Sequence, residues 1–146
     1  MPQAFIGFDH VDVRVESLAA VEEFYDRLMP ELGLATKTFS HVDAAGTWHA
    51  ATRTLPYNTV EYFEPAARGE SPRFIGFIED PTMQPTRTRI AFRVASKAEV
   101  LAWEARLRSF GAHDVELDEE VDAYPAVFFA DPVGTQLEIC ARLPKA

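Results

Sequence analysis

Cysteine is almost absent: Cys140 is the only one in 146 residues. That excludes an intramolecular disulfide and any zinc site assembled from several thiolates. Long apolar runs are missing too. None approaches the roughly 18 residues that mark a membrane helix. The opening MPQAFIGFDH has no basic region followed by an apolar stretch, so no secretory signal is expected. Basic residues are scarce, fourteen against twenty-three acidic ones, for a formal net charge of −9. Nucleic-acid binders usually carry a basic footprint, so that partner is not expected either. There is no glycine-rich phosphate loop, no serine in a nucleophile elbow, no heptad repeat and no low-complexity tract. The remaining composition, 47% hydrophobic and 25% charged, is that of an ordinary globular chain. A cytoplasmic protein is the simplest expectation, with neither a nucleic acid nor a membrane as partner.

What the chain does have is a repeat of itself. DHVDVRVESLAAVEEFYDRL (Asp9 to Leu28) lies over TRIAFRVASKAEVLAWEARL (Thr88 to Leu107) at a constant offset of 79 without a gap. Arg14 meets Arg93, Val15 meets Val94, Ser17 meets Ser96 and Leu28 meets Leu107. In both copies the apolar period changes from two to about 3.6, which predicts a strand followed by an amphipathic helix. Val11, Val13 and Val15 share one face of the first strand, and Leu18, Val21, Phe24, Tyr25 and Leu28 form the helix stripe. Ile90, Phe92 and Val94 precede Val100, Trp103, Leu107 and Phe110 in the second copy. Ser96 with Glu99 three residues later predicts a capping box. Gly33 and Gly111 stand where left-handed caps are expected, and Pro30 predicts a break or kink.

Strand-like sequence follows each helix. The second half offers His113 to Leu117, Ala126 to Phe129 and Gln136 to Ala141, with DPVG (Asp131 to Gly134) as the last turn. The first half offers Thr36 to Val42, Trp48 to Arg53, Val60 to Phe63 and Phe74 to Glu79, one strand too many for an exact copy. The expected organisation is a single domain of 1–146, with module 1 at about 6–80 and module 2 at about 86–142. One face of each sheet then packs on its helix. The alternate face is polar: His10, Asp12 and Arg14 on the first strand, Arg89 and Arg93 on its mate. Two such faces are expected to enclose a cavity.

The stretches FDHVDVRV, VEEFYDRLMPELGL, RIAFRV and FFADPVGTQLEIC resemble the vicinal oxygen chelate superfamily: glyoxalase I, extradiol dioxygenases, fosfomycin-resistance enzymes and bleomycin-resistance proteins. The resemblance runs from Phe8 to Arg142. It implies an α+β fold of two βαβββ modules forming a curved mixed sheet around a cavity. Metal-using members draw ligands from a His on the first strand, a His on the first strand of the second module and a Glu on the last strand. Some add a Glu from the last strand of the first module. His10 and Glu138 match the first and last of these places. The second place, paired with His10 by the offset of 79, is Arg89, which stays protonated and cannot ligate a metal. Glu61 matches the optional place if Val60 to Phe63 ends module 1; if Phe74 to Asp80 does, Gly76 takes it.

Two readings of function stand beside each other. In one, a divalent ion (zinc, nickel, iron or manganese) on His10, Glu138 and Glu61 polarises paired oxygens of a substrate, as in a lyase, isomerase or dioxygenase. In the other there is no metal. The cavity binds a small anionic or oxygenated molecule, as bleomycin-resistance proteins do, and Arg89 pairs with Glu138 while gripping the anion. Arg93, Tyr62, Tyr124 and His49 are the further candidates for the cavity wall. His41 and His113 read as structural, and Asp12 is a natural mate for Arg93 or Arg14. A homodimer is expected from the resemblance alone.

Overall fold

A computed structural model describes residues 4–144. The strands and helices fall in the order β1 (His10–Val15), α1 (Leu18–Glu31), β2 (Thr36–Val42), β3 (Trp48–Ala50), β4 (Thr59–Phe63), β5 (Phe74–Glu79), β6 (Arg89–Arg93), α2 (Lys97–Ser109), β7 (His113–Leu117), β8 (Ala126–Ala130) and β9 (Gln136–Cys140). The two helices start 79 residues apart, as the repeat requires. The extra strand of the first half is β3, a short edge piece. The expected α+β arrangement of two modules is present, its strands forming two mixed sheets ordered β1-β5-β4-β2-β3 and β6-β9-β8-β7. In each, the first strand lies at the edge and pairs in parallel with the last strand of its half. All other pairings are antiparallel.

The chain divides into two compact units. One contains the segment up to Leu18 together with Met29–Pro81; the other contains Ala19–Leu28 together with the chain from Thr82. In the first, alternation sends Val60, Tyr62, Ile75 and Phe77 to the buried face of the sheet. In the second, α2 buries Val100, Trp103 and Leu107, and Val127, Phe129, Leu137 and Ile139 are buried on their strands. Each such side chain contributes about 1.5–3 kcal/mol by leaving water.

The middle of α1 is built into the second unit. Phe24 lies 6.4 Å from Phe129 by ring centroids. The Tyr25 hydroxyl donates to Asp131 Oδ2 at 2.7 Å. Asp131, fully buried, also accepts from the amides of Val133 and Thr135 through Oδ1. The DPVG turn is therefore a polar anchor as well as a turn, since a buried carboxylate needs several donors.

Helix ends follow the sequence closely. Ser96 Oγ accepts from the Glu99 amide at 3.2 Å, and Glu99 Oε2 returns to the Ala95 amide at 2.7 Å, one residue earlier than the usual box. The α1 end is capped from a distance, with the Leu18 amide donating to Glu79 Oε2 at 2.9 Å. Gly33 and Gly111 adopt φ of 91° and 94°, and Pro30 sits inside the last turn of α1. Among the described residues no helix is long and apolar enough to cross a membrane.

Candidate functional site

Each sheet has one apolar face and one face of mixed, chemically useful side chains. In the first unit the register aligns His10, Asp12 and Arg14 of β1 with Phe74, Gly76 and Ile78 of β5. It continues to Phe63, Glu61 and Thr59 of β4 and to Thr36, Thr38 and Ser40 of β2. Neighbours across a pleated sheet share a face. Two rows dominate. His10 stacks on Phe74 at 4.6 Å and 3°, and Phe74 stacks on Phe63 at 4.6 Å. Beside them, Asp12 and Glu61 flank Gly76. A Cβ on Gly76 would stand 2.9 Å from Asp12 Oδ1 and 3.5 Å from Glu61 Cγ. The two acidic side chains thus occupy the space the glycine leaves. Glu61 Oε1 accepts from the hydroxyls of Thr38 and Ser40 at 3.4 Å each.

His10 Nδ1 donates to Asp9 Oδ2 at 2.7 Å, and Nε2 lies 3.6 Å from Asp12 Oδ2. The Asp9 hydrogen bond, opposed by burial and helped by the charges of Asp12, Asp9 and Glu61, holds the imidazole pKa above 6.5. Arg14 faces Asp80 at 3.9 Å. A separate open groove of about 640 Å³ includes Phe8, Asp9, Glu64, Glu70 and Arg73 in its wall, and neither Asp12 nor Glu61.

In the second unit the corresponding face holds Arg89, Ala91 and Arg93 of β6, Gln136, Glu138 and Cys140 of β9, and Phe128 of β8. The expected Arg89–Glu138 pair does not form. Register is the reason: Arg89 stands opposite Gln136, and Ala91 stands opposite Glu138. Arg89 donates to Gln136 Oε1 at 3.3 Å and lies over the Phe128 ring at 4.6 Å. Among the described residues no carboxylate lies within ion-pair distance of Arg89 or Arg93. Glu138 is 7% exposed and accepts the Tyr124 hydroxyl at 2.5 Å. That bond, followed by burial and the nearby Cys140 and Glu138 acids, drives the tyrosine pKa well above 10. The Arg142 guanidinium lies 5.1 Å from the Tyr124 ring centroid.

Two candidates for a cavity wall lie elsewhere. Tyr62 is 1% exposed, alternates away from Glu61 and packs edge-on against Phe77; it is a core residue. His49 pairs with His41 on the face opposite Ser40. Its neighbour Trp48, opposite Val42 and 46% exposed, holds the place on the polar side that His49 was expected to take. Nothing local in the sequence distinguishes these two; only the β2–β3 register does.

No family model and no curated protein sequence matches this chain. Solved structures do. A glyoxalase/bleomycin resistance protein from Albidiferax ferrireducens T118 superimposes with a TM-score of 0.59 at 19% identity, over 93% of this chain and 98% of the other. The chain has the glyoxalase/bleomycin-resistance fold. A glyoxalase/bleomycin resistance protein/dioxygenase from Nocardioides gives 0.60 at 15% identity, covering 99% and 89% of the two chains. A mutant of the fosfomycin resistance protein FosX from Listeria monocytogenes, complexed with Mn(II) and 1S,2S-dihydroxypropylphosphonic acid, gives 0.58 at 20% identity, covering 94% and 93%. The vicinal-oxygen-chelate resemblance therefore holds at the level of fold.

This fold implies a divalent metal in some of its members, and the residues here fit one poorly. β5, not β4, is the parallel partner of β1, so it ends the first half. The register Asp12–Gly76 then mirrors Ala91–Glu138. Gly76, which has no donor atom, occupies the optional ligand place, and Glu61 lies one strand further in. The second histidine place is the cationic Arg89. Glu138 Oε1 is occupied by the Tyr124 hydroxyl. Among the described residues no three of His, Cys, Asp and Glu are grouped to hold a metal ion. His10 keeps the form of a ligand, with one nitrogen fixed by a carboxylate, but a centre built on it lacks partners of the right type.

Proposed function

We propose that the protein binds a small, anionic or oxygenated molecule on the polar face of its second unit, without a metal ion, in the manner the resemblance attributes to bleomycin-resistance proteins. One observation carries the reading. Arg89 is exposed, lies 4.6 Å over the Phe128 ring centroid, and is hydrogen-bonded to a neutral amide in place of a carboxylate. Its charge is uncompensated locally and its fork is oriented, which is what a carboxylate or phosphonate needs. Arg93 supplies a second positive charge on the same face. Glu138, held by Tyr124, supplies an acceptor for a hydroxyl or amine of the ligand. The small Ala91 separates the two arginines along β6. Tyr62 and His49 drop out of the binding set because they face the other way.

The test is calorimetric titration of small carboxylates and phosphonates, including methylphosphonate and the dihydroxypropylphosphonic acid seen on FosX, with and without EDTA. Binding that survives EDTA and weakens at least tenfold in Arg89→Ala is the expected result, since a charge-assisted hydrogen bond contributes about 1.5–3 kcal/mol. Arg89→Lys should recover only part of it. Binding that vanishes in EDTA, or that Arg89→Ala leaves intact, would return the choice to a metal-dependent enzyme using His10 and Glu138. A homodimer in the cytoplasm completes the proposal, its assembly to be read by sedimentation.

A further inference from the structure

On the opposite face of the first sheet, β2 and β3 place His41 and His49 directly across from each other. Their ring centroids are 6.4 Å apart, with planes inclined at 50°. Each ring has one nitrogen already committed. His41 Nδ1 lies 2.8 Å from the Pro56 carbonyl oxygen, which only accepts, so Nδ1 carries the proton and Nε2 the lone pair. His49 Nε2 lies 2.7 Å from Asp43 Oδ2, so the neutral ring keeps its lone pair on Nδ1.

Asp43 is itself fixed. Its Oδ1 accepts the amides of Ala45 and Thr47, closing the β2–β3 turn. A backbone carbonyl behind one imidazole and a carboxylate behind the other are the partners that orient metal-ligating histidines. A metal bound at about 2.0–2.1 Å to one nitrogen of each ring holds the two centroids no more than roughly 6.5 Å apart. The observed 6.4 Å stands at that limit, which a metal on the line between the two rings would reach, and side-chain rotation narrows it for a bent arrangement.

We propose that His41 and His49 form a two-imidazole site for a divalent transition-metal ion, with Asp43 and the Pro56 carbonyl as its orienting partners. No third His, Cys, Asp or Glu among the described residues joins them, so water completes the coordination. An open, imidazole-only site favours copper(II) over nickel(II) and zinc(II), following the general order for nitrogen donors. The site is independent of the arginine-bearing face and uses none of its residues. Bound metal would cross-link β2 to the edge strand β3 and stabilise the folded protein by mass action.

The experiment titrates untagged, full-length protein with copper(II), then nickel(II) and zinc(II), by calorimetry, and records the copper EPR spectrum. The expected result is one ion per chain, hyperfine structure from two imidazole nitrogens, and a copper-dependent rise in Tm. His41→Ala and His49→Ala should each weaken binding at least tenfold, and His113→Ala, at an exposed position on β7, should leave it unchanged. Asp43→Asn keeps an acceptor for the turn amides and removes the carboxylate behind His49; it should weaken binding about 10- to 100-fold. Circular dichroism checks that each variant is folded. Failure of the wild type to bind copper, or binding as tight as the wild type's in either alanine variant, would overturn the proposal.

Discussion

The two polar faces are built on one backbone plan and populated in opposite ways. Across β1, β5 and β4 the central row reads Asp12, Gly76, Glu61. Across β6, β9 and β8 the same row reads Ala91, Glu138, Phe128. One face has a bare middle between two carboxylates; the other has a single carboxylate between two neutral residues. The row before it differs as sharply, with His10 on an aromatic stack in one unit and Arg89 over Phe128 in the other. Repetition has fixed strand order and register and left the chemistry of each face open. A place that holds a carboxylate in one half, Glu138, is the bare Gly76 in the other.

The largest effect should come from forcing the first face to copy the second. Gly76→Glu inserts a third carboxylate between Asp12 and Glu61, in a spot where even a Cβ meets Asp12 Oδ1 at 2.9 Å. Like charges brought together at a partly buried site oppose ionisation and folding. We expect a loss of about 2–3 kcal/mol in urea denaturation, within the range for a crowded, charged insertion. Combining it with Asp12→Ala reproduces the Ala91–Glu138 arrangement and should recover at least half of that loss. A double variant no better than the single one would mean that the faces differ in more than side-chain allocation.

A smaller effect is expected from the second face. Tyr124→Phe removes the hydroxyl that donates to Glu138, a carboxylate only 7% exposed. Leaving a buried acceptor short of its donor costs about 1–3 kcal/mol. Glu61→Gln in the first unit is the control, because its side chain is half-buried and its hydroxyl contacts are long, at 3.4 Å. It should change stability by less than about 1 kcal/mol. Equal losses from the two substitutions would remove the distinction between a fixed carboxylate and a loosely held one.

How much of this was legible beforehand follows from the range of each interaction. The repeat fixed both helices and the first strand of each half, because apolar period and capping residues are local signals. Strand existence was readable as well; β2, β5 and β7 fall where alternation and turn residues put them. Pairing was not. Whether β4 or β5 closed the first half depended on which lay beside β1, and that contact joins residues more than sixty positions apart. The Arg89–Glu138 pair failed for the same reason, since two residues of register separate a salt bridge from an Arg–Gln contact. Trp48 and His49 exchanged places through the parity of a three-residue strand. The anchoring of Tyr25 to Asp131 had no sequence signal at all, being a contact between a helix of the first repeat and a turn of the second.

The smallest expected effect concerns His10, whose counterpart in the repeat, Arg89, cannot titrate in the accessible range. Asp9, Asp12 and Glu61 raise the His10 pKa above its ordinary value of about 6.5. A histidine raised on folding adds stability that is complete below the unfolded value and disappears as pH climbs through the folded one. Stability should therefore fall slightly as pH rises above the ordinary value of about 6.5 and through the raised folded-state one. The imidazole is 41% exposed, so screening should keep the change below about 1 kcal/mol. The sharper measurement is the NMR titration of the His10 ring. Its midpoint should lie above 6.5 in the native protein and move down in Asp9→Asn, because the Asp9 hydrogen bond is the largest contribution. A midpoint at or below 6.5 would mean that Asp9 orients the ring without favouring its charge, and that the two faces differ less in electrostatics than in shape.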